Sequence, residues 1–325
     1  MLIDGLRSRG HDIVFLQHDR DRTEAGLDLS HDYTWDDCFP EIDALFLEWR
    51  WPIPGRNTTA CGTAGHTCDL HRQQLLLSHY TQCHGTPTIV WDKDRKLPSS
   101  DPLRQIDHVV VCEAALSPTP GAVRLLFPVA DEALATADPV ALAAAPRPRS
   151  LAYVGNQYDR DEAFDSFFAP AAAAVDHVVA GKWTATDSWP HVRFVGRIPF
   201  TQVREVYGSA LATILLVPSR YAQAGQMTQR LPEAVLTGCL PLCPTTINHA
   251  DKLVPPKLLI RDGAEAVQRL GWLRQLAGSP EHVELLAGCV RRLQRFSLRE
   301  QLATLDFVFD HLTTSSGDIS AVEYA

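Results

Sequence analysis

The sequence predicts two α/β domains of the Rossmann type in series, followed by a C-terminal helical segment. At 325 residues the chain is too long for one small core and suits two domains of ordinary size. Short apolar runs alternate with amphipathic stretches over 1–145 and again over 150–296, a rhythm typical of parallel sheets covered by helices. The rest predicts a helix over 297–312 and a flexible tail over 313–325.

The composition is that of a globular protein and excludes several functions. Hydrophobic residues make up 45% of the chain and charged residues 21%. The net charge of −9, with no basic run longer than Arg291-Arg292, argues against a nucleic-acid partner. No apolar run approaches the roughly 18 residues that span a bilayer, and the first residues lack an apolar signal core. We therefore predict a cytoplasmic protein without an integral membrane segment, and the Ala-, Arg- and Pro-rich composition is compatible with a bacterial source.

The predicted first domain begins inside a helix. Leu2, Ile3 and Leu6 share one helical face, and Gly10 follows as a C-cap before an apolar strand at 13–16. A strand and a turn normally precede such a unit, so either the domain starts upstream of Met1 or it lacks its first strand. Further strands are predicted at 43–48, 87–91, 108–112 and 124–127, with a helix at 71–80 and a linker at 133–149.

The predicted second domain repeats the same alternation. Strands are predicted at 151–154, 177–180, 192–195, 212–217, 240–243 and 257–260, with helices at 161–168, 201–209, 229–236 and 263–276. Two more helices follow, one opened by Ser279-Pro280 and one by the capping box of Ser297 and Glu300. We expect a ligand cleft at the carboxyl ends of the strands, where open α/β folds bind ligands.

A glycine stands where the first strand of this domain runs into a helix. The strand ends in Gly155-Asn156, so backbone amides at the helix start can face an anion such as a diphosphate. Gly155 would let the phosphate approach closely, and Arg160 could add a charge-assisted contact. Taken alone, a glycine at such a position is more often only a turn.

A set of motifs between 149 and 260 carries a more specific signal. It comprises YVGN at 153–156, F-x-G-R-I-P at 194–199, and Gly225, Thr228, Arg230, Glu233, Ala234, Gly238, Leu240 and Pro241. These motifs resemble the donor-binding domain of GT-B glycosyltransferases, closest to the bacterial CgeB-type branch, and the first domain matches only in outline. The resemblance implies a GT-B arrangement and sugar transfer to a small-molecule (natural-product) or cell-surface acceptor. It also implies a nucleotide-sugar co-substrate and no required metal or other cofactor.

The resemblance assigns roles to individual residues. Glu233 would accept both ribose hydroxyls, and Arg230 lies three residues earlier on the same helical face. The implied donor-binding residues are Gly155, Asn156, Arg160, Gly196, Arg197, Gly225, Thr228, Arg230 and Glu233. The alternative interpretation of Arg230 and Glu233 is a surface ion pair.

Two departures from the family pattern leave other functions open. Many retaining members carry a second glutamate eight residues before the one that matches Glu233, and here that position is Gly225. No basic residue directly follows Gly155, which leaves Arg160 or Lys182 for the diphosphate. The stereochemistry is therefore open, and a nucleotide-sugar epimerase or hydrolase, or a non-catalytic binding protein, are the alternatives.

Ionisable residues follow the predicted strands of the first domain. If the reaction inverts, the attacking acceptor hydroxyl needs a general base, for which Asp92 and His18 are the candidates. Arg56-Asn57 lies in a loop that could reach the acceptor. Polar residues at strand ends are also simply where solvent begins. The other residues of this kind are Glu48, Arg50, Asp94 and Glu113.

Cysteines and histidines concentrate between 61 and 84. Four of them could hold zinc, for which thiolates and imidazoles are the preferred ligands. No C-x-x-C pair occurs, so the default interpretation is reduced thiols with surface histidines. The residues are Cys61, His66, Cys68, His71, Cys83 and His84.

Overall fold

The computed structural model describes residues 1–17 and 28–314, so the predicted base His18 and nearly all of the predicted tail lie outside the described residues. The chain divides into two compact units, which we call unit 1 (Met1–Leu126 with Arg299–Ala325) and unit 2 (Phe127–Leu298). The prediction placed the boundary about twenty residues later and set the last helix apart. That helix belongs to unit 1 because Gln301 accepts a hydrogen bond from the Leu126 amide at 2.7 Å and Leu302 packs on Gly5.

Unit 1 contains parallel strands, as predicted. Four strands form a sheet in the order β3-β4-β5-β6, and β1 pairs with β2 separately. Every residue of β4 and β5 is buried, and their continuous apolar runs are typical of parallel strands covered on both faces. The strands are β1 Val14–Phe15, β2 Thr34–Trp35, β3 Leu45–Glu48, β4 Thr88–Asp92, β5 Val109–Glu113 and β6 Val123–Arg124.

The helices of unit 1 enclose a core of leucines and valines beside this sheet. Leu76 and Tyr80 of the long helical segment pack with Leu45 and Leu47 of β3 and Val90 of β4. The helices are α1 Leu2–Ser8, α2 Asp69–Leu76 with a π-helical continuation Leu77–Cys83, the 3₁₀ turn Pro102–Gln105, and the C-terminal helix Leu298–Thr314.

Unit 2 contains a second parallel sheet, with its strands in the order β11-β10-β9-β7-β8. The prediction of a strand at 192–195 is wrong. This segment forms only an isolated bridge with β8, between Val179 and Phe194, and not a ladder. It nevertheless runs beside β8, since Val179 donates to Arg193 and Val195 donates to Val179, each at 2.9 Å. The strands are β7 Arg149–Val154, β8 His177–Ala180, β9 Ala210–Ile214, β10 Leu240–Pro244 and β11 Leu259–Ile260.

The predicted linker at 133–149 is a second error, because the chain forms two short helices there. Asp138 caps the second of them by accepting hydrogen bonds from the amides of Val140 and Ala141, and Pro139 occupies the first helical position. Asp138-Pro139 is a helix-start signal that can be read from the sequence, but the alanine- and proline-rich composition around it favoured the linker interpretation. The helices are α3 Asp131–Ala135 and α4 Pro139–Ala144.

The remaining helices of unit 2 follow the predicted alternation. The helix predicted at 263–276 is confirmed, and Ser279 caps the next helix as predicted by accepting from the His282 amide. No helix within 1–17 and 28–314 is long and apolar enough to cross a membrane. The helices are α5 Asp161–Ala163 with the π-helix Phe164–Phe168, α6 Ala169–Ala172, α7 Val203–Gly208, α8 Ser219–Ala222, α9 Arg230–Val235, α10 Ala250–Leu253, α11 Gly263–Leu276 and α12 Pro280–Leu293.

Candidate functional site

Three glycines stand side by side at the carboxyl edge of the sheet in unit 2. Gly155 follows β7, Gly181 follows β8, and Gly196 ends the segment beside β8. Gly155 donates its amide to Ala180, and Gly181 donates to Gly196, each at 2.8 Å. A Cβ on Gly181 would lie 2.1 Å from the Gly155 carbonyl oxygen, and its φ of +138° also requires glycine. We call these residues the glycine edge, where the backbone is bare of side chains.

The space in front of Gly155 is occupied by the guanidinium group of Arg230. A Cβ on Gly155 would lie 2.3 Å from Arg230 Nε. Arg230 Nε donates to the Val154 carbonyl at 2.6 Å, and Nη1 donates to Thr228 Oγ1 at 3.1 Å. The sequence interpretation, in which the glycine itself admits the phosphate, is therefore corrected: the glycine admits an arginine, which brings a positive charge to the end of β7.

Arg160 and Arg220 add two more positive charges to this region. Arg160 is buried and donates to the carbonyl oxygens of Tyr158 at 2.7 Å, Leu216 at 3.2 Å and Asn156 at 3.3 Å. Burial lowers the pKa of Arg160, and the nearby charges of Arg230 and Arg220 lower it further. Backbone carbonyls thus engage the Arg160 side chain, which supplies charge to the region rather than the direct phosphate contact that the sequence suggested.

The acidic partners in this region are fewer than the arginines. Arg220 pairs with the exposed Asp159 at 2.5 Å. Glu233 lies one turn into α9, and burial raises its pKa to about 7, against the opposing attraction of Arg230. No ion pair joins Arg230 to Glu233 in the described part of the chain, so the surface-pair interpretation is not supported. The excess of arginine charge suits an anionic ligand.

The other predicted donor residues hold loops near the glycine edge. Asn156 Oδ1 accepts from the Lys182 amide at 2.8 Å, which ties the turn after β7 to the loop after β8. Gly225 has a φ of +63°. Its amide donates to Ala222 at 3.2 Å, so this amide is not directed at a phosphate as predicted. Arg197, next to Gly196, is exposed.

Sequence reasoning missed Gly181 and Trp183. Gly181 directly follows the predicted strand 177–180, so its position at a strand end was the available signal. Trp183 donates its indole N–H to the Gly155 carbonyl at 2.7 Å and packs at a tilt against Phe164 and Phe194, at ring-centre distances of 4.5 and 5.4 Å. This contact fixes the peptide that carries Gly155.

In unit 1, the proposed base Asp92 is completely buried at the end of β4. Its two oxygens accept the amides of Lys96 at 2.9 Å and Leu97 at 2.7 Å, and burial is the main reason why its pKa is raised. The carboxylate therefore holds the turn after β4 and cannot reach an acceptor hydroxyl in this conformation, which corrects the prediction. Glu113 is likewise buried, in ion pairs with Arg95 and Arg104.

A cavity of about 150 Å³ lies at the ends of β3 and β4, and we call it the polar cavity. It brings together Arg50, Arg56, Asn57 and Asp94, which the sequence singled out. Asp69 and Lys93 were missed, and Asp69 carried no strand-end signal because it opens α2. The lining residues are Arg50, Trp51, Ile53, Arg56, Asn57, Asp69, Lys93 and Asp94.

Hydrogen bonds behind the polar cavity fix its walls. Asn57 bridges its own loop by accepting from the Ile53 amide at 2.7 Å and donating to the Trp51 carbonyl at 3.0 Å. Gln73 of α2 holds the backbone of Arg50 through both of its amide atoms. Gln17 donates to the buried Asp69 at 2.9 Å.

The cysteine and histidine cluster is only partly assembled. Cys61 Sγ and Cys68 Sγ lie 3.6 and 3.8 Å from His71 Nδ1, whereas His66 Nδ1 contacts the Thr59 carbonyl at 2.7 Å. Within the described residues, no group of three or more His, Cys, Asp or Glu side chains is placed to hold a metal ion. All eight cysteines are free thiols.

Several solved structures are similar to this chain in fold. No family model and no curated protein matches the chain. T4 phage BGT bound to its UDP-glucose substrate is similar with a TM-score of 0.63 and 14% identity, over 95% of this chain and 92% of that one. A glycosyltransferase from Rickettsia africae ESF-5 is similar with a TM-score of 0.61 and 10% identity, over 97% and 94%. T4 phage BGT with UDP and Mn²⁺ gives 0.59 and 13%, over 86% and 87%.

At these identities the likeness shows the fold alone. The neighbours are GT-B glycosyltransferases, and this chain shares their α/β fold with parallel sheets and covering helices. The CgeB-type assignment receives no support from these neighbours and remains a prediction.

Proposed function

We propose that the protein is a glycosyltransferase that moves a sugar from a nucleotide-sugar donor to an acceptor hydroxyl. The observation that carries this proposal is the guanidinium of Arg230 lying across Gly155, with Glu233 one turn further along α9. The fold shared with glycosyltransferases that were solved with UDP or UDP-glucose supports it.

We place the donor on unit 2. The diphosphate would lie near Arg230 and Arg220, with Arg160 adding charge from its buried position. Glu233 would accept the ribose hydroxyls, because a carboxylate has two oxygens and can accept from both at once. Gly196 and Arg197 would adjoin the base, and Asn156 and Thr228 would position the loops around the diphosphate.

The reaction follows from the charge at the glycine edge. The acceptor oxygen forms a bond to the anomeric carbon while the bond from that carbon to the diphosphate oxygen breaks. The nucleoside diphosphate leaves with the electron pair, and the hydroxyl proton passes to a base or to solvent. Fixed arginines stabilise the charge that develops on the leaving diphosphate. This proposal requires no metal, and since one neighbour contains UDP with Mn²⁺, assays are run with and without Mn²⁺.

The acceptor is proposed to be a small molecule or a surface glycan. A net charge of −9 gives the chain no general affinity for the phosphates of nucleic acid. We keep the CgeB-type motifs at 153–156 and 194–199 as support for this class.

Nucleotide binding provides the first test. We expect UDP, or the diphosphate of another nucleoside, to raise the melting temperature, because a ligand at 100 times its Kd stabilises the folded state by about 2.7 kcal/mol. Arg230→Gln should abolish the shift. Glu233→Ala should weaken it without unfolding the protein. Arg274→Gln, on the exposed face of α11, is the matched control and should leave the shift intact.

Turnover separates the transferase from its rivals. A transferase releases nucleoside diphosphate from the donor mainly when an acceptor is present, whereas a hydrolase releases it equally without one. No stabilisation by any nucleoside diphosphate at millimolar concentration would contradict the proposal.

A further inference from the structure

We propose that Trp183 is a positioning residue of the donor site, which turns one backbone amide toward the diphosphate of the donor. The amide is that of Asn156, and Trp183 acts on it through the Gly155 carbonyl of the same peptide. This inference rests on the proposed function, because it names a group that binds the diphosphate of that donor. All of the residues involved lie in unit 2.

The hydrogen bonds of the turn after β7 leave one amide without an acceptor. The Gly155 amide donates to the Ala180 carbonyl at 2.8 Å, and the Gln157 amide donates to the Lys182 carbonyl at 3.0 Å. The Asn156 amide between them has no acceptor in the part of the chain that the structure describes. A backbone N–H that no protein group accepts is left to solvent or to a ligand.

The carbonyl groups on either side of this amide are engaged by side chains. Trp183 donates its indole N–H to the Gly155 carbonyl at 2.7 Å, and Arg230 donates to the Val154 carbonyl at 2.6 Å. These carbonyl oxygens would otherwise repel an anion. The turn therefore offers an anion the Asn156 amide together with the positive charge of Arg230.

The planarity of the peptide gives the Asn156 amide a direction. No peptide bond of the described residues is cis, so the Gly155 carbonyl and the Asn156 N–H point to opposite sides of one peptide. Because the indole of Trp183 holds the carbonyl on its own side, the N–H faces away from the indole. Gly181 packs closely on the carbonyl, since a Cβ there would lie 2.1 Å from the Gly155 oxygen. A rotation that reversed the amide would break the indole hydrogen bond.

An aromatic cluster holds the indole of Trp183 in turn. It packs at a tilt against Phe164 and Phe194, at ring-centre distances of 4.5 and 5.4 Å, and meets Tyr153 edge-on at 6.1 Å. Phe164 is completely buried. The indole, the peptide and its amide are therefore in place before a ligand arrives. A donor that needs no reorganisation is the kind that stabilises negative charge most effectively.

The first experiment observes the Asn156 amide in the intact protein by NMR. The chain contains three asparagines, so ¹⁵N-asparagine labelling gives three backbone amide signals. The probes are pyrophosphate and UDP. We expect each probe to move the Asn156 amide proton downfield, because donation to a phosphate oxygen deshields it. The Asn57 and Asn248 amides already donate to the carbonyls of Ile53 and Ala222, so their signals should move less.

Tryptophan variants test whether the indole controls this amide. Trp183→Phe keeps a ring on Phe164 but removes the N–H, so the affinity for both probes should fall about fivefold and the Asn156 shift should shrink. Trp189→Phe is the matched control, because its indole also packs on Phe164 but donates to Asp165, and it should change neither. If Trp183→Phe does not fold, benzothienylalanine at position 183 replaces it, with sulfur in place of the N–H and nearly the same ring shape.

A second pair of variants acts on the amide and leaves Trp183 intact. Asn156→Pro removes the backbone N–H and the side chain, whereas Asn156→Ala removes only the side chain. We expect the proline variant to bind pyrophosphate and UDP about tenfold more weakly than the alanine variant, because a hydrogen bond to a charged group is lost.

The outcomes separate this inference from the proposed function. The inference is overturned by an Asn156 signal that neither probe moves, by equal affinities of Asn156→Pro and Asn156→Ala, or by equal effects of the two tryptophan variants. If UDP still stabilises the protein and the donor is turned over, the proposed function stands without it. If pyrophosphate moves the Asn156 signal in a manner that depends on Trp183, while no nucleoside diphosphate binds, the positioning role stands and the proposed function falls.

Discussion

The glycine edge of unit 2 and the polar cavity of unit 1 both lie at the carboxyl ends of parallel strands, yet they are built in opposite ways. At the glycine edge the three glycines carry no side chains, and arginines bonded to backbone carbonyls supply the charge. In the polar cavity, charged side chains of both signs line the walls, and amide side chains behind them hold the backbone. The first construction places fixed positive charge beside bare backbone, and the second surrounds a cavity with charged groups of both signs.

The strongest test of the glycine edge is Gly181→Ala. The new Cβ would meet the Gly155 carbonyl at 2.1 Å, and the φ of +138° is unfavourable for alanine, so we expect a loss of about 4 kcal/mol in unfolding free energy. Urea unfolding measures the loss. Gly271→Ala is the control, because that helical glycine has open space around its Cβ position and should become more stable by about 0.5–1 kcal/mol. Equal stability of the two variants would refute the close packing of strand ends.

Glu233→Gln tests the buried carboxyl beside the arginines through the pH dependence of stability. Below pH 4.5 the glutamate is protonated in both the folded and the unfolded chain, so the variant should match the native protein. Between about pH 4.5 and pH 7 the unfolded chain ionises this carboxyl while the buried carboxyl of the folded chain, with its pKa of about 7, stays protonated, so the folded state loses stability over this range and no more above it. At pH 8 the glutamine variant should therefore be more stable, by at most about 3 kcal/mol, while binding nucleotide less tightly.

Glu265→Gln is the control for the pH experiment. Its hydrogen bond with Arg261 lowers the pKa of Glu265, so the substitution should slightly reduce stability at pH 8 rather than increase it. If both glutamine variants change stability in the same direction at pH 8, the raised pKa of Glu233 is wrong.

Gly155→Ala tests whether the absence of a side chain at Gly155 makes room for the Arg230 guanidinium. The nearest atoms to the new Cβ belong to the guanidinium end of the Arg230 side chain, which can shift at the cost of its hydrogen bonds, so we expect a stability loss of only about 2 kcal/mol. Nucleoside diphosphate affinity should fall more than tenfold, since the guanidinium leaves its position on the Val154 carbonyl. Unchanged affinity, measured by calorimetry, would mean that Arg230 does not contact the diphosphate.

Asp92→Asn should have the smallest effect and tests the corrected role of this carboxyl. Asparagine can replace only one of the two oxygens that accept the amides of Lys96 and Leu97, so we expect a stability loss of about 1 kcal/mol. Turnover should remain within a few fold of the native value. A fall of a hundredfold or more, at unchanged folding, would restore the general-base interpretation.

Local patterns predicted much of the fold. The helix at 263–276 and the Ser279 cap were predicted because periodicity and capping are encoded within a few neighbouring residues. Gly155 was found in the same way, as a glycine at the end of an apolar run, whereas Gly196 was found through the resemblance that its motif carries. The glycine edge could be predicted in part because its backbone geometry requires glycine, and that residue type can be recognised in the sequence.

Contacts between distant residues could not be predicted. Arg230 meets Gly155 across 75 residues of chain, and no local pattern indicates which arginine fills the space. Asp92 was chosen as a base because it ends a strand, but its burial depends on the turn that folds back over it. Asp69 lines the polar cavity from the start of α2, and it was missed because the candidate residues were sought only at strand ends.

The C-terminal helix Leu298–Thr314 has a consequence for biosynthesis. Because Leu126 and Gln301 are bonded within the same unit, unit 2 is an insertion in the chain of unit 1. All residues of unit 2 are synthesised before the last helix of unit 1 is complete. At about 5–20 residues per second, the first 126 residues are therefore made roughly ten seconds or more before the helix that completes unit 1. The unit translated first is the one that can finish folding last.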